Sequence, residues 1–249
     1  MTPKKGPLSR WLRRRPPAAT PDAAPGRLPP ITEEPISAAL IRACVGTEHP
    51  TILEIGANNG GQTCWFAEMF EDPGISCFEP DPRAIARFRD KVGDRPGVEL
   101  FELALSDRNG TITFHQSGGS HDDEVAAQMP EGWDLSGSIR PPKDHLVVHP
   151  WVTFDQTIEV ETMTLDSWAA EHGIGRVDFI WMDVQGAEAD VFRGGERTLA
   201  ATRFLYTEYS DRELYEGQRP LAELLDQLGD FDVVERYRAD VLLRNRRIA

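Results

Sequence analysis

Apolar residues recur along this chain in two rhythms that take turns. Short apolar runs, Thr51–Ile55, Ile75–Phe78, Val98–Leu105, Val177–Met182 and Phe204–Tyr206, read as strands. Between them the spacing lengthens to i, i+3, i+4. Ile36, Ala39, Leu40, Ala43 and Cys44 mark one helical face, and Thr63, Phe66, Ala67 and Phe70 a second. Ile85, Phe88 and Val92 follow, with Pro82 near the helix start, where its missing N–H costs little. Leu165, Trp168 and Ala169 mark another helix, and Gly186-Ala187 lead into one that ends near Ala200. Leu221, Leu224, Leu225 and Leu228 mark the last.

Strands separated by helices predict a mostly parallel α/β sheet with helices on both faces. Asn109-Gly110 ahead of Thr111–His115 is a hairpin signal, and Val160–Met163 reads as a short strand. Phe231–Tyr237 and Val241–Leu243 predict a terminal hairpin that adds one antiparallel strand to the sheet. Two segments break the rhythm. Residues 1–30 are Pro-rich and read as a disordered arm, leaving 31–249 as the folded domain. Residues 116–150 are rich in Gly, Ser, Pro, Asp and His, and read as an irregular insertion on the substrate side.

Composition changes this picture little. The 249 residues are 40% hydrophobic and 27% charged, ordinary for a domain with a sizeable core. Cys44, Cys64 and Cys77 lack CxxC spacing and sit in apolar surroundings, as buried free thiols of a reducing compartment do. Charge is more informative. The net charge of −14 combines +6 over residues 1–30 with −20 over the rest. An acidic body argues against nucleic acid as the main partner, which needs a basic face. The arm Trp11-Leu12-Arg13-Arg14-Arg15 has the composition to touch an anionic surface, although its prolines favour a solvated tail. With neither an apolar signal segment nor a run long enough to span a membrane, a cytoplasmic protein without a transmembrane segment is expected. Sequence leaves the oligomeric state open.

The candidate chemistry lies at the strand ends, where open α/β sheets bind ligands. Strand one runs through Glu54 into the turn Gly56-Ala57-Asn58-Asn59-Gly60-Gly61, and a helix follows at once. Such a turn admits a ligand close to the backbone and offers it a helix N-terminus. Strand two ends on Glu79, whose carboxylate can accept both hydroxyls of a ribose. Together these residues predict a cofactor that carries adenosine. Ser106-Asp107 follow strand three, either as a turn cap or as a wall of the adenine pocket. Asp183 ends strand four and Glu208 strand five. A carboxylate closing an apolar central strand is costly unless it is used, and both are candidate catalytic residues. The pair would also begin a hard-cation site, but no His joins them at recognisable spacing, so no metal is assigned. His115, His121, His145 and His149 are alternative bases, and Trp133 and Trp151 either stack on a substrate or anchor the insertion.

Several blocks, in order, carry a resemblance. They are TILEIGANNGG at 51–61, CFEPDP at 77–82, LALSDRNG at 103–110, SGSI at 136–139, VETMTLDSW at 160–168, VDFIWMDVQGAEADVFRGG at 177–195 and EYSDRELYEGQ at 208–218. As a set they resemble the FkbM family of class I S-adenosylmethionine-dependent methyltransferases. The resemblance implies a Rossmann-like, doubly wound, mostly parallel seven-stranded sheet with a C-terminal antiparallel hairpin. It implies S-adenosylmethionine as cofactor and O-methylation of a hydroxyl on a sugar, glycan or natural product. By it, Glu54, Gly56, Ala57, Asn58 and Gly60 bind the methionine end, Glu79 the ribose, Ser106 and Asp107 lie near adenine, and Asp183 sits beside the transferred methyl. Gln185 stands where the family usually has an acid. Two readings compete: a nicotinamide-dependent oxidoreductase, whose G-x-G-x-x-G turn this chain lacks, and a non-catalytic nucleotide-binding module.

Overall fold

The computed structural model describes residues 28–120 and 132–248. Most of the expected arm, together with His121, lies outside the described residues.

Seven strands form one sheet in the order β3-β2-β1-β7-β8-β10-β9. These are β1 (Thr51–Ile55), β2 (Gly74–Phe78), β3 (Val98–Phe101), β7 (Val177–Met182), β8 (Thr202–Glu208), β9 (Phe231–Arg236) and β10 (Asp240–Asn245). The pairs β1/β2, β2/β3, β1/β7 and β7/β8 are parallel, whereas β10 runs antiparallel to both its neighbours. The chain winds outward in one direction from β1 to β3, then crosses back to β7. That reversal between β1 and β7 opens a crevice at the carboxyl ends of the strands.

Side chains alternate across the sheet. Leu53 and Ile55 of β1 join Phe78, Ile180, Met182, Leu205, Val241 and Leu243 in one core layer. That layer packs against α5 (Leu165–Glu171), α6 (Glu188–Gly194) and α8 (Leu221–Gln227), with Trp168 fully buried in it. Ile52, Ile75, Cys77, Phe179, Phe204 and Leu242 form the opposite layer. It lies beneath α1 (Ala38–Val45), α2 (Gly61–Met69) and α3 (Pro82–Val92). Asp81 caps α3 through the backbone N–H of Arg83 at 3.0 Å, with Pro82 opening the helix. The remaining helices are α4 (His145–Val148) and α7 (Glu196–Ala200).

A second sheet accounts for the insertion. It is three-stranded, in the order β4-β6-β5, from β4 (Ala104–Ser106), β5 (Gly110–Gly119) and β6 (Val152–Thr164). Four expectations change here. The apolar run Val98–Leu105 divides: β3 stays in the main sheet, and after Glu102-Leu103 the chain enters the small one as β4. The Asn109-Gly110 signal does not pair its flanking strands, since β6 lies between them. Asn109 instead spends its side chain on the far end of β6, where Oδ1 accepts from the Thr164 N–H at 2.7 Å and Nδ2 donates to Ser167 at 3.1 Å. The short strand expected at Val160–Met163 is the end of a 13-residue strand. Gln116–Gly119, expected to be irregular, belong to β5.

Candidate functional site

The crevice is a cleft of about 430 Å³ bounded by the ends of β1, β2, β7 and β8, with a strap from residues 134–139 along its side. Its floor is set by one close approach. Gly56 has φ +87°, and a Cβ there would stand 1.9 Å from the Asp183 carbonyl oxygen, so only glycine lets the turns after β1 and β7 touch. The Gly56 and Ala57 N–H groups both donate to the Phe78 carbonyl at 2.9 Å, tying the turn to the end of β2. Asn58 then takes φ +43°, and Gly60 starts α2.

Glu79 is aimed by backbone. Its Oε2 accepts from the Asn58 N–H and its Oε1 from the Asp81 N–H, both at 2.8 Å. Burial pushes its pKa up to about 7. A single N–H on each oxygen leaves lone pairs for ribose hydroxyls. The surrounding wall is tied down: Gln116 of β5 donates to Asp81 at 3.0 Å, and Arg87 of α3 pairs with buried Asp134 on the strap. Leu103, Ala104, Leu105, Pro80 and Phe114 form the apolar lining beyond Glu79.

At the other end stand Asp183, Gln185, Trp181, Tyr206 and Asp240. Asp183 is exposed to the cleft. Glu208 lies next to it, and burial together with Asp183 drives Glu208 well above the usual carboxylate range. The Gln185 amide donates to Asp183 at 2.7 Å and to Glu208 at 2.8 Å. Glu188, fully buried at the start of α6, accepts the Gly186 N–H at 3.2 Å, and burial raises it to about 7. Asp240 comes from β10, where it pairs in register with Glu208, and it bonds the Tyr206 hydroxyl; burial lifts it to about 6.

Thus Gly56, Asn58, Glu79 and Asp183, four of the residues expected from sequence, line one cleft. Ala57 and Gly60 complete the turn beneath it. Glu54 does not line it. On β1 it falls on the same face as Ile52, and its side chain lies under α2, where the Thr63 hydroxyl donates to it at 2.6 Å. Ser106 is buried in β4, and Asp107 is partly exposed and paired with Arg193; neither lines the cleft. His115, His145 and His149 also lie outside the lining, and burial lowers His145 to about 4. Trp133 and Trp151 pack edge to face against each other at 4.9 Å. Among the described residues no three His, Cys, Asp or Glu side chains are grouped to hold a metal, and no helix is long and apolar enough to cross a membrane. Sequence reasoning missed Asp134, Tyr206 and Asp240. Only Tyr206 carried a signal, as the last residue of a predicted strand.

Glu54 has a consequence for stability. Its folded pKa of about 8 exceeds the ordinary 4.5, mainly through burial. Stabilisation from the neutral form is full below 4.5 and is lost as pH rises through about 8. Glu79 and Glu188 act in the same direction up to about 7. The urea midpoint of the ligand-free protein is therefore expected to fall across this window, and Glu54→Gln should flatten the slope. An unchanged slope in that variant would contradict the assignment.

The profile described as "Methyltransferase FkbM domain" matches residues 54–238. A 2-O-methyltransferase, NoeI of Sinorhizobium fredii, is 51% identical over 203 residues, covering 80% of this chain and 81% of that protein. Among solved structures, the N-methyltransferase NodS from Bradyrhizobium japonicum with S-adenosyl-L-homocysteine is 12% identical, covers 84% of this chain and 83% of its own, and has a TM-score of 0.45. Aeropyrum pernix fibrillarin with S-adenosyl-L-methionine is 17% identical, covers 83% and 72%, and has a TM-score of 0.41.

Proposed function

This chain belongs to the FkbM methyltransferase family, and we propose that it moves the methyl group of S-adenosylmethionine to a hydroxyl oxygen of a sugar or a natural product. The observation that carries this reading is the pairing, in one cleft, of a ribose-type carboxylate and a strand-end base. Glu79 is fixed by two backbone N–H groups at one end, and Asp183 faces the other.

The residues present suit such a donor. Gly56 keeps the turn low enough for a ligand to lie against backbone, and Glu79 retains acceptor capacity for ribose hydroxyls. Gly56, Ala57, Asn58 and Gly60 take the methionine end. Leu103–Leu105 flank the base, with Ser106 and Asp107 supporting that strand from behind. Glu54 acts from beneath α2 by holding Thr63. Bound donor supplies a methyl group on a cationic sulfur, which the acidic surround of Asp183, Glu208 and Asp240 favours. Asp183 accepts the proton that the acceptor hydroxyl gives up as its oxygen bonds carbon and the sulfur–carbon bond breaks. Glu208 supports Asp183 from the neighbouring strand. The remaining contribution is alignment of acceptor oxygen, carbon and sulfur, which a rigid cleft supplies. A hydroxyl acceptor is supported by the relative, whose name gives a 2-O position.

The test is calorimetric titration with S-adenosylmethionine and S-adenosylhomocysteine, followed by label transfer from methyl-labelled donor to a panel of methyl pyranosides. Absence of binding by either nucleoside overturns the reading. Glu79→Gln removes the charge behind two hydrogen bonds, each of the kind worth about 1.5–3 kcal/mol, so a roughly 10–100-fold rise in donor Kd is expected. Because Glu79 titrates at about 7 without donor, donor affinity is also expected to weaken as pH falls below that value. The Glu79→Gln variant should lose that dependence.

A further inference from the structure

Gln185 holds an unusual position. Its φ is +50°, a left-handed conformation rarely taken by a side-chain-bearing residue, and such strain persists where surroundings enforce it. The enforcing contacts are visible. Gly186 follows, and a Cβ there would lie 2.9 Å from the Tyr215 ring, so the turn is pressed against that ring. The Ser138 hydroxyl donates to the Gln185 carbonyl at 2.8 Å. The Tyr215 hydroxyl lies 2.8 Å from both Gln185 Oε1 and the Ser136 carbonyl. With Oε1 facing that hydroxyl, the amide nitrogen faces the two carboxylates and has one hydrogen for each.

Asp183 and Glu208 both accept from the same amide nitrogen, which holds their carboxylates close together. Two ionised carboxylates at that separation repel strongly, and one shared proton relieves the repulsion. The amide orients the arrangement. It supports both oxygens without adding charge, and it is anchored to Tyr215 on the side away from the cleft.

We propose that Gln185 is a positioning residue: its amide clamps Asp183 and Glu208 side by side as one hydrogen-bonded unit and keeps Asp183 turned toward the acceptor. This rests on the reading of Asp183 as the base. The charged and titratable groups around the pair are Glu188 on α6, Asp240 and Tyr206 from β10 and β8, Tyr215 beyond Gln185, and Arg140, which binds Asp190 at 2.7 Å. Arg140 is the one cation among them, and it is committed to Asp190.

The experiment is carbon-13 NMR titration of the side-chain carboxyls in the full chain with S-adenosylhomocysteine present, the two signals assigned by Asp183→Asn and Glu208→Gln. In the unaltered protein Glu208 should titrate well above the ordinary carboxylate range. Gln185→Met removes both N–H donors and should raise the Glu208 midpoint by about one pH unit or more. Gln185→Glu adds a third carboxyl and should raise it further. Curves for both variants that superimpose on those of the unaltered protein overturn the proposal. So does a Glu208 that titrates in the ordinary carboxylate range in the unaltered protein, a result that needs no variant to fold. Titration requires no acceptor and no turnover. Failure here therefore leaves the proposed reaction to its own assay, and an Asp183→Asn variant with normal turnover removes the base reading instead.

Discussion

Asp183→Asn is expected to lower methyl transfer by roughly 10²–10⁴-fold, the span that a positioned general base contributes. Binding of S-adenosylhomocysteine, whose sulfur is uncharged, should stay within about threefold of the unaltered protein, because the ribose end is built by Glu79, Asn58 and Asp81 on other elements. The substitution keeps shape and removes proton-accepting power, so the loss should fall on kcat rather than on that affinity. Glu208→Gln is expected to cost less, since Glu208 supports Asp183 and does not line the cleft. Steady-state rates on the most active pyranoside of the panel, with S-adenosylhomocysteine calorimetry alongside, check both. Near-normal kcat in Asp183→Asn would show that acceptor deprotonation does not depend on this carboxylate.

Gly56→Ala is expected to destabilise the protein by about 3–5 kcal/mol, as left-handed strain and overpacking act together. The added methyl would stand 1.9 Å from the Asp183 carbonyl oxygen and 2.9 Å from its carbon. Neither can yield like the end of a flexible side chain. The two turns must separate, and they form the floor of the cleft on its donor and acceptor halves. Loss of donor binding should accompany the fall in the urea midpoint. An alanine variant that keeps both would mean that the turns separate without cost.

Much of this architecture is legible in the chain because local pattern and tertiary role agree. The strand ends at Glu79, Asp183 and Glu208, the Gly-Ala-Asn-Asn-Gly-Gly turn and the terminal hairpin stand where periodicity puts them. Four features did not announce themselves. Val98–Leu105 carries no Gly, Pro or turn residue, so nothing in it reveals that Glu102-Leu103 carries the chain from one sheet to another. β6 contains the polar stretch Asp155-Gln156-Thr157, which hides a long strand whose backbone is satisfied by β5 on one side and, near its end, by β4 on the other. Glu54 looked like a ligand because it closes a strand. Yet period-two alternation puts it on the helix face, with Thr63 as its partner. Asp240 is invisible for another reason: an acid beside a hairpin turn is ordinary, and only the pairing of β10 with β8 brings it to Glu208.

The placement of β10 bears on how the enzyme comes into being. It is the last strand in chain order, yet it lies inside the sheet, between β8 and β9. During synthesis the strands β1 to β3, with Glu79 at their end, emerge early, while β8 waits with an open edge. Tyr206 lacks Asp240 through that interval, and the acceptor half is unfinished. The cleft is complete on this side only when the closing hairpin has placed its second arm beside β8.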